Sequence, residues 1–448
     1  MDQRGFYKLT FRTVFPLMIQ SLLLASINFI GQAMVSKLGV SEIAAVGVAN
    51  KIYSLFYLVM YGTCCACVMF VSQYAGKKDI DGLRRTMGMT FTITVSLGVL
   101  VTFATLIFPK ECIGLFTEDR EVIRYGASYL RMVSASYLLL SFIYPINYML
   151  RGMTRVQIVL CTSVASVFVN VITTYSFIFG KFGMPKLGVA GAALGTVLAR
   201  AVELIVLIIY LLATKNEVIT AIPRMFTYNI TGFRKFLSKA LPLAGNEFLW
   251  GIGTTLYFVI YGHMGTAELA AMSIMSTLQT LQQTFSLSFA SSAAVIIGNE
   301  IGKGDSTEIV KCADRFHKLA LGVGVFVSVL AFALIKPIVY IFQIQGTETG
   351  AYLTQCLIIL SCFLTLNCYN SMNTEGLFRS GGDVRFVLLM DMGGIWLIGL
   401  PLTYIMGEWL GLPIAMVYAA FIAVELYKLP IGIFRYRSQK WVHQLDLK

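Results

Sequence analysis

Charge is scarce in this sequence. Only 13% of its 448 residues are Asp, Glu, Lys or Arg, while 57% are hydrophobic; a soluble domain carries about twice that share of charge. With a mean hydropathy of +0.75, an ordinary water-soluble globule is excluded, and apolar segments of roughly 20 residues require a bilayer. Histidine is scarcer still. His263, His317 and His443 are expected near loops, which argues against a histidine metal cluster or a histidine proton relay. The nine cysteines have no zinc-type spacing and read as small buried hydrophobes. No G-x-x-x-x-G-K-S/T pattern occurs, so ATP is not the direct energy source. A clustered nucleophile, metal-ligand set or acid–base pair near an interface is also lacking, so an enzyme is not expected and no cofactor is called for. The opening MDQRGFYKLTFRTVF leads into a long apolar segment without a small-residue cleavage pattern, and the first span is expected to stay in the mature protein.

What is present is a long series of apolar stretches broken by charge or by Gly/Pro clusters. They lie near 14–37, 46–72, 87–109, 123–150, 156–180 and 188–214, then near 239–263, 270–298, 315–341, 351–378, 385–406 and 412–434. This predicts an all-α polytopic membrane protein with twelve transmembrane helices in two six-helix pseudo-symmetric lobes. The N-lobe covers 1–214, a cytoplasmic connector 215–237, and the C-lobe 238–448. The formal charge of +12 comes from 35 basic and 23 acidic residues. Its clusters, such as Lys77, Lys78, Arg84 and Arg85, or Arg224, Arg234, Lys235 and Lys239, lie in short loops without interleaved aromatics. They read as topology signals rather than as a nucleic-acid surface. Because basic residues concentrate on alternate loops, both termini and the connector are expected on the cytoplasmic side of the plasma (inner) membrane.

The two lobes are related by an internal repeat. A shift of 226 brings Pro16 onto Pro242, Gly39 onto Gly265, Glu42 onto Glu268, Ala44-Ala45 onto Ala270-Ala271, Gly76 onto Gly302, Lys77 onto Lys303 and Asp79 onto Asp305. With slightly different shifts, LRGMTRV at 150–156 answers FRSGGDV at 378–384, and ARAVE ending at Glu203 answers IAVE ending at Glu425. Six spans per half is an even number, so the second half enters with the orientation of the first. Parallel repeats of this kind suit alternating access by rocking of one lobe against the other.

These residues resemble the multidrug and toxic compound extrusion (MATE) family of secondary transporters along nearly the whole chain. The likeness rests on FP opening the first span, KLGVSEIAAVGVAN at 37–50, VSQYAGKKD at 71–79 with its echo IGNEIGKGD at 297–305, IFGKFGMPKLGVAGAALGT at 178–196, LPLAGNEFLWGIG at 241–253 and LFRSGGD at 377–383. The resemblance implies a twelve-helix exporter of cationic or amphipathic compounds, driven by inward flow of sodium ions or protons, with substrate in a cleft between the lobes. It also marks departures. Where one branch of the family has an aspartate in an N-x-x-D pattern in the first span, this chain keeps Asn28 but has Gly31. In the fifth span Asn170 is present, with Thr174 at a position that is aspartate in some members. The tenth span offers Asn367, Tyr369, Asn370 and Asn373 without the aspartate of the sodium-linked branch.

An ionised side chain in the bilayer interior costs on the order of 3 kcal/mol even on insertion scales, so each one needs a partner or a task. Glu247, deep in the seventh span, is the first candidate for cation coupling and, if the ion is sodium, for its ligand; Asp391 in the eleventh span is the second. Asn246 and Trp250 beside Glu247 provide a hydrogen-bonding group and an aromatic face for an organic cation. Tyr369 and Asn370 extend the candidate substrate contacts in the C-lobe, and Asn28, Lys51, Tyr144, Asn147 and Asn170 do so in the N-lobe. Lys51 either lines the N-lobe cavity or extends to the outer interface. Arg200 with Glu203, and Glu425 with Lys428, have i, i+3 spacing and read as structural ion pairs; Glu375 with Arg379, at i, i+4, reads as an interfacial pair outside the site. The expected function is therefore secondary active export of drug-like molecules, by antiport against sodium ions or protons. Flipping of lipids or lipid-linked precursors is the alternative. Small-molecule substrate and the lipid bilayer are the expected partners, nucleic acid is not, and a monomer is expected.

Overall fold

The computed structural model describes residues 3–218 and 222–447, apart from the side chains of residues 25, 27–29 and 40. It is built from helices. Twelve long ones are found among the described residues: α1 (Gln3–Val35), α2 (Val40–Lys77), α3 (Ile80–Ile107), α4 (Arg120–Gly152), α5 (Val156–Phe179) and α6 (Val189–Ala213) in the first half, then α7 (Ile230–Met264), α8 (Thr266–Lys303), α9 (Ser306–Ile341), α10 (Glu348–Phe378), α11 (Val384–Trp409) and α12 (Ile414–Arg437). Nine of these are long and apolar enough, among the described residues, to cross a membrane. α1, α7 and α8, of 33, 35 and 38 residues, complete the set.

Several helices run well past their apolar stretches. α1 begins at Gln3 rather than near 14, and α9 at Ser306 rather than near 315. Hydropathy marks only the hydrocarbon-immersed part, whereas backbone hydrogen bonding continues into the headgroup zone until a cap or a turn ends it. The region between α6 and α7 holds a short helix, Ile222–Met225.

The repeat is repeated in the backbone. α2 and α8 both have 38 residues, and each follows a glycine against which the Glu three residues on is folded. A Cβ on Gly39 or Gly265 would collide with the carboxylate of Glu42 or Glu268. That carboxylate then lies at the positive end of its helix. α3 and α9 begin in the same way: the Asp79 side chain accepts from the backbone N of Gly82, and Asp305 from those of Thr307 and Glu308.

The chain forms two compact units. One comprises Tyr7–Ala244 with the last residues from Asp446, the other Gly245–Leu445 with the first residues up to Phe6, so the boundary falls within α7. In the first unit α5 and α6 pack at backbone contact distance. A Cβ on Gly191 would stand 2.5 Å from the carbonyl oxygen of Phe177, and one on Gly195 2.7 Å from the backbone nitrogen of Thr174. Small residues of this kind let membrane helices approach closely. In the second unit, Tyr261, Met275, Leu357, Leu364, Val417 and Tyr418 join α7, α8, α10 and α12 in one apolar core. α10 and α11 contain three π-helical segments, Met372–Phe378, Gly393–Gly399 and Ile405–Trp409. Such wide turns are frequent at functional sites because they displace side chains from the regular helical register. Exposed apolar side chains such as Leu321, Val325, Phe326 and Val329 on α9 form the kind of surface that belongs in lipid.

Candidate functional site

The second unit gathers the intramembrane charges. Glu247 is the midpoint residue of α7. Arg379, just after the π segment of α10 and only 5% exposed, reaches it with Nη1 at 3.1 Å from Oε1, and holds Glu375 with Nη2 at 2.6 Å. Asp391 on α11 accepts Lys428 of α12, with 2.7 Å between Nζ and Oδ1. Asn246, one residue before Glu247, donates to the other oxygen of Asp391 at 3.4 Å. Glu425, also on α12, accepts Asn367 Nδ2 at 2.9 Å and Asn370 Nδ2 at 2.7 Å. Three carboxylates thus share two basic side chains, and the fourth, Glu425, is held by amides. In a low-dielectric interior, removing one partner of such a pair costs about 3–5 kcal/mol, because the other charge is left without compensation.

This arrangement departs from the sequence expectations in three places. Glu425 and Lys428, spaced i, i+3, do not pair; Lys428 turns to Asp391 on the neighbouring helix, and amides of α10 take Glu425. Glu375 and Arg379 do pair, but Arg379 also binds Glu247, so the bridge is part of the candidate site rather than separate from it. His317 is not near a loop. Because α9 starts at Ser306, it lies three turns in and is buried, with Nε2 2.8 Å from Asn373 Oδ1. Its ring stacks on Tyr369 at 4.9 Å and meets Tyr436 edge-on at 4.4 Å.

The other predicted contacts of this unit divide accordingly. Asn246 joins Glu247 and Asp391, and Trp250, one turn further along α7, is 39% exposed. Tyr369 and Asn370 are engaged by His317 and Glu425. Arg379 and Lys428 are the site residues that sequence reasoning left out. The available signal was a basic residue inside an apolar span, which has to find a carboxylate somewhere.

In the first unit, Tyr53, Tyr57 and Tyr61 of α2 pack against Tyr137, Tyr144 and Tyr148 of α4, with 2.8 Å between the hydroxyls of Tyr53 and Tyr144. Arg200 and Glu203 form the expected ion pair at 2.7 Å, and Asn147 donates to Glu203 at 3.4 Å. Asn170 reaches Thr196 at 3.5 Å. Lys51 is exposed and makes no ion pair among the described residues. The side chain of Asn28 lies outside the described residues.

The two units answer each other at the arginine. Arg151, which the repeat aligns with Arg379, donates from Nη2 to Gln20 Oε1 at 2.8 Å and covers the Tyr148 ring. A shift of 226 pairs Glu247 with Ser21, but the residue that faces the arginine in the first unit is Gln20. The same architectural contact is therefore a neutral hydrogen bond in one unit and an ion pair in the other.

Family models add the decisive comparison: the MatE model matches residues 16–176 and again 242–405, one match in each half and most of the chain. The chain belongs to the MatE family. It is a transporter, not an enzyme. Among curated relatives of this MatE protein, the uncharacterized transporter YisQ of Bacillus subtilis (strain 168) is 24% identical over 443 residues, covering 97% of this chain and 95% of that one. The probable multidrug resistance protein YoeA of the same organism is 22% identical over 442 residues, with 92% and 91% covered. Among solved structures, an outward-facing multidrug resistance MATE family transporter of the MOP superfamily has a TM-score of 0.86 at 19% identity, covering 96% of this chain and 95% of that one. A MOP superfamily transporter from Pyrococcus furiosus, described by a reverse polarity of its binding pocket, has a TM-score of 0.84 at 19% identity, with 96% and 95% covered. At these identities the likeness is one of fold: twelve membrane-spanning helices.

Proposed function

We propose that this MatE transporter is a multidrug exporter of the cell membrane, which moves organic cations or amphipathic drug-like molecules outward in exchange for sodium ions or protons. The observation that carries this reading is the surplus of carboxylates in one buried network of the second unit, where Glu247, Glu375, Asp391 and Glu425 stand against the two bases Arg379 and Lys428. A surplus of negative charge in a water-poor interior stores affinity for an incoming cation, and that affinity can be coupled to the movement of a second ligand. Relatives named as multidrug resistance proteins support the substrate class.

In this reading Glu247 and Asp391 are the coupling residues, and Arg379 and Lys428 are their internal counter-ions. Asn246 fixes Asp391 and, with Trp250, contacts substrate, the indole face attracting an organic cation. The tyrosines around Tyr144, together with Asn147, Asn170, Asn28 and Lys51, contact substrate in the first unit. Both termini are cytoplasmic and the functional unit is a monomer.

The test is ethidium transport by the purified protein in liposomes, wild type beside Glu247→Gln, with sodium and proton gradients imposed separately. One gradient should drive export by wild type, and the variant should lose that dependence. If wild type moves dye and the variant is undiminished, Glu247 is not a coupling residue. If neither gradient moves dye through folded protein, drug export is wrong and flipping of a lipid-linked substrate takes its place.

A further inference from the structure

Three of the four carboxylates in the network around Arg379 and Lys428 have a basic partner. Glu247 and Glu375 share Arg379, and Asp391 has Lys428. Glu425 differs. It is 4% exposed, stands at the middle of α12, and makes no ion pair among the described residues. Its hydration is replaced by neutral amides, Asn367 at 2.9 Å on one carboxylate oxygen and Asn370 at 2.7 Å on the other. Asn370 also donates to the backbone oxygen of Glu425 at 2.8 Å. Behind Asn367 stands Gln282 of α8, whose amide donates to Asn367 Oδ1 at 3.1 Å and fixes which way Asn367 points.

Two further facts bear on this carboxylate. The first is its counterpart. Glu203, which the repeat aligns with Glu425, is neutralised by Arg200 three residues earlier. In α12 the position three residues before Glu425 is Ile422, so the second unit keeps the buried acid and lacks its cation. The second is Asn370. This side chain is 3% exposed, its Nδ2 is committed to Glu425, and its Oδ1 has no hydrogen-bond partner. Asn147 on Glu203 and Asn246 on Asp391 also leave Oδ1 without a partner, but those two acids have a base, Arg200 and Lys428. An orphaned amide oxygen at such burial is uncommon, and at Asn370 it belongs to the group that grips the acid without an ion pair.

We infer that Glu425, with Asn370 and Asn367, forms a binding site for one sodium ion. The inference rests on the proposed cation coupling and names the place where the ion sits. Carboxylate, amide and backbone oxygens are the donors a small hard cation takes. The amide of Asn370 has nearly the same shape when rotated by half a turn about its last side-chain bond, which exchanges oxygen for nitrogen. Without the ion, Nδ2 faces Glu425 and compensates its charge. With the ion, Oδ1 turns inward, becomes a ligand and finds the partner it now lacks. Asn367 cannot follow, because Gln282 holds its oxygen.

Lys428 connects this event to the rest of the network. It lies one turn beyond Glu425 on α12, and its charge is felt by both Asp391 and Glu425. A sodium ion on Glu425 cancels one of the two attractions on that ammonium and leaves it to Asp391.

The experiment is equilibrium binding of radioactive sodium to the purified full-length protein in choline buffer, for wild type, Glu425→Gln, Glu425→Asp, Asn370→Ala and Glu247→Gln. Dye export is measured on the same preparations, and correct folding is checked by gel filtration and melting temperature. Wild type should bind sodium saturably. Asn370→Ala should weaken binding roughly 10–100-fold, as loss of a supporting ligand does, and Glu425→Gln by at least that much. Should Glu425→Gln fail to fold, Glu425→Asp, which keeps the charge and retracts the oxygens, should still weaken binding by about tenfold. Wild-type affinity in folded Glu425→Gln overturns the inference, as does binding abolished by Glu247→Gln but kept by Glu425→Gln. Absence of sodium binding by wild type also overturns it, even where export runs on a proton gradient and the proposed function stands. Conversely, sodium binding that depends on Glu425, in a protein that exports dye under no gradient, leaves the site in place and removes the proposed function.

Discussion

Arg379→Gln is the sharpest test of the charge network. The arginine is 5% exposed and holds two carboxylates, Glu247 at 3.1 Å and Glu375 at 2.6 Å. Glutamine keeps most of the stem and a hydrogen-bonding head but no charge, so the substitution isolates the electrostatic contribution. Breaking one buried pair costs about 3–5 kcal/mol, and a body of 150–250 residues melts about 2–4 °C lower per kcal/mol. The second unit falls in that size range, which places the expected loss at roughly 6–20 °C. The assay is available in the protein itself. All four tryptophans, Trp250, Trp396, Trp409 and Trp441, belong to this unit, so intrinsic fluorescence reports its unfolding. Combining Arg379→Gln with Glu247→Gln should recover part of the loss, because one orphaned acid is removed with its partner. A melting temperature within 1 °C of wild type for the single variant, or no recovery in the double variant, would refute the reasoning.

Two other substitutions test the packing. Gly191→Leu places side-chain atoms where the Phe177 backbone already stands; overpacking of about 1–3 kcal/mol should raise the labelling rate of the buried thiols Cys64 and Cys67 in the same unit, and an unchanged rate would contradict the close α5–α6 contact. Trp441, fully buried and packed against Phe378 and Tyr436, anchors the segment after α12. Its replacement by Ala should cost about 3–5 kcal/mol, visible as a lower melting temperature of the second unit by thiol labelling of Cys312, Cys356 and Cys368.

The legible and illegible parts of the site differ in kind. Arg200 and Glu203 were legible because both lie on one helix, where i, i+3 spacing already brings them together. The same spacing misled at Glu425 and Lys428, since a neighbouring helix offered each of them a better partner. Neither α11 next to α12 nor the phase of α10 after its π segment can be read from local spacing. His317 was misplaced for a simpler reason. Its distance from the apolar stretch put it near a loop, but α9 begins earlier than its apolar part and carries the ring into the interior.

By itself the sequence determined the membrane, the helical class, the twelve spans and the repeat that makes α8 the counterpart of α2 and α9 that of α3. These follow from hydrophobicity, helical period and capping residues, which act over a few turns of chain. The tertiary structure decided which base holds which acid: Arg379 joins Glu247 to Glu375, Lys428 leaves Glu425 for Asp391, and Glu425 keeps only amides. Those choices depend on the rotation and depth at which four helices pack against one another, and in an interior without water each buried charge goes to whichever partner that packing brings within reach.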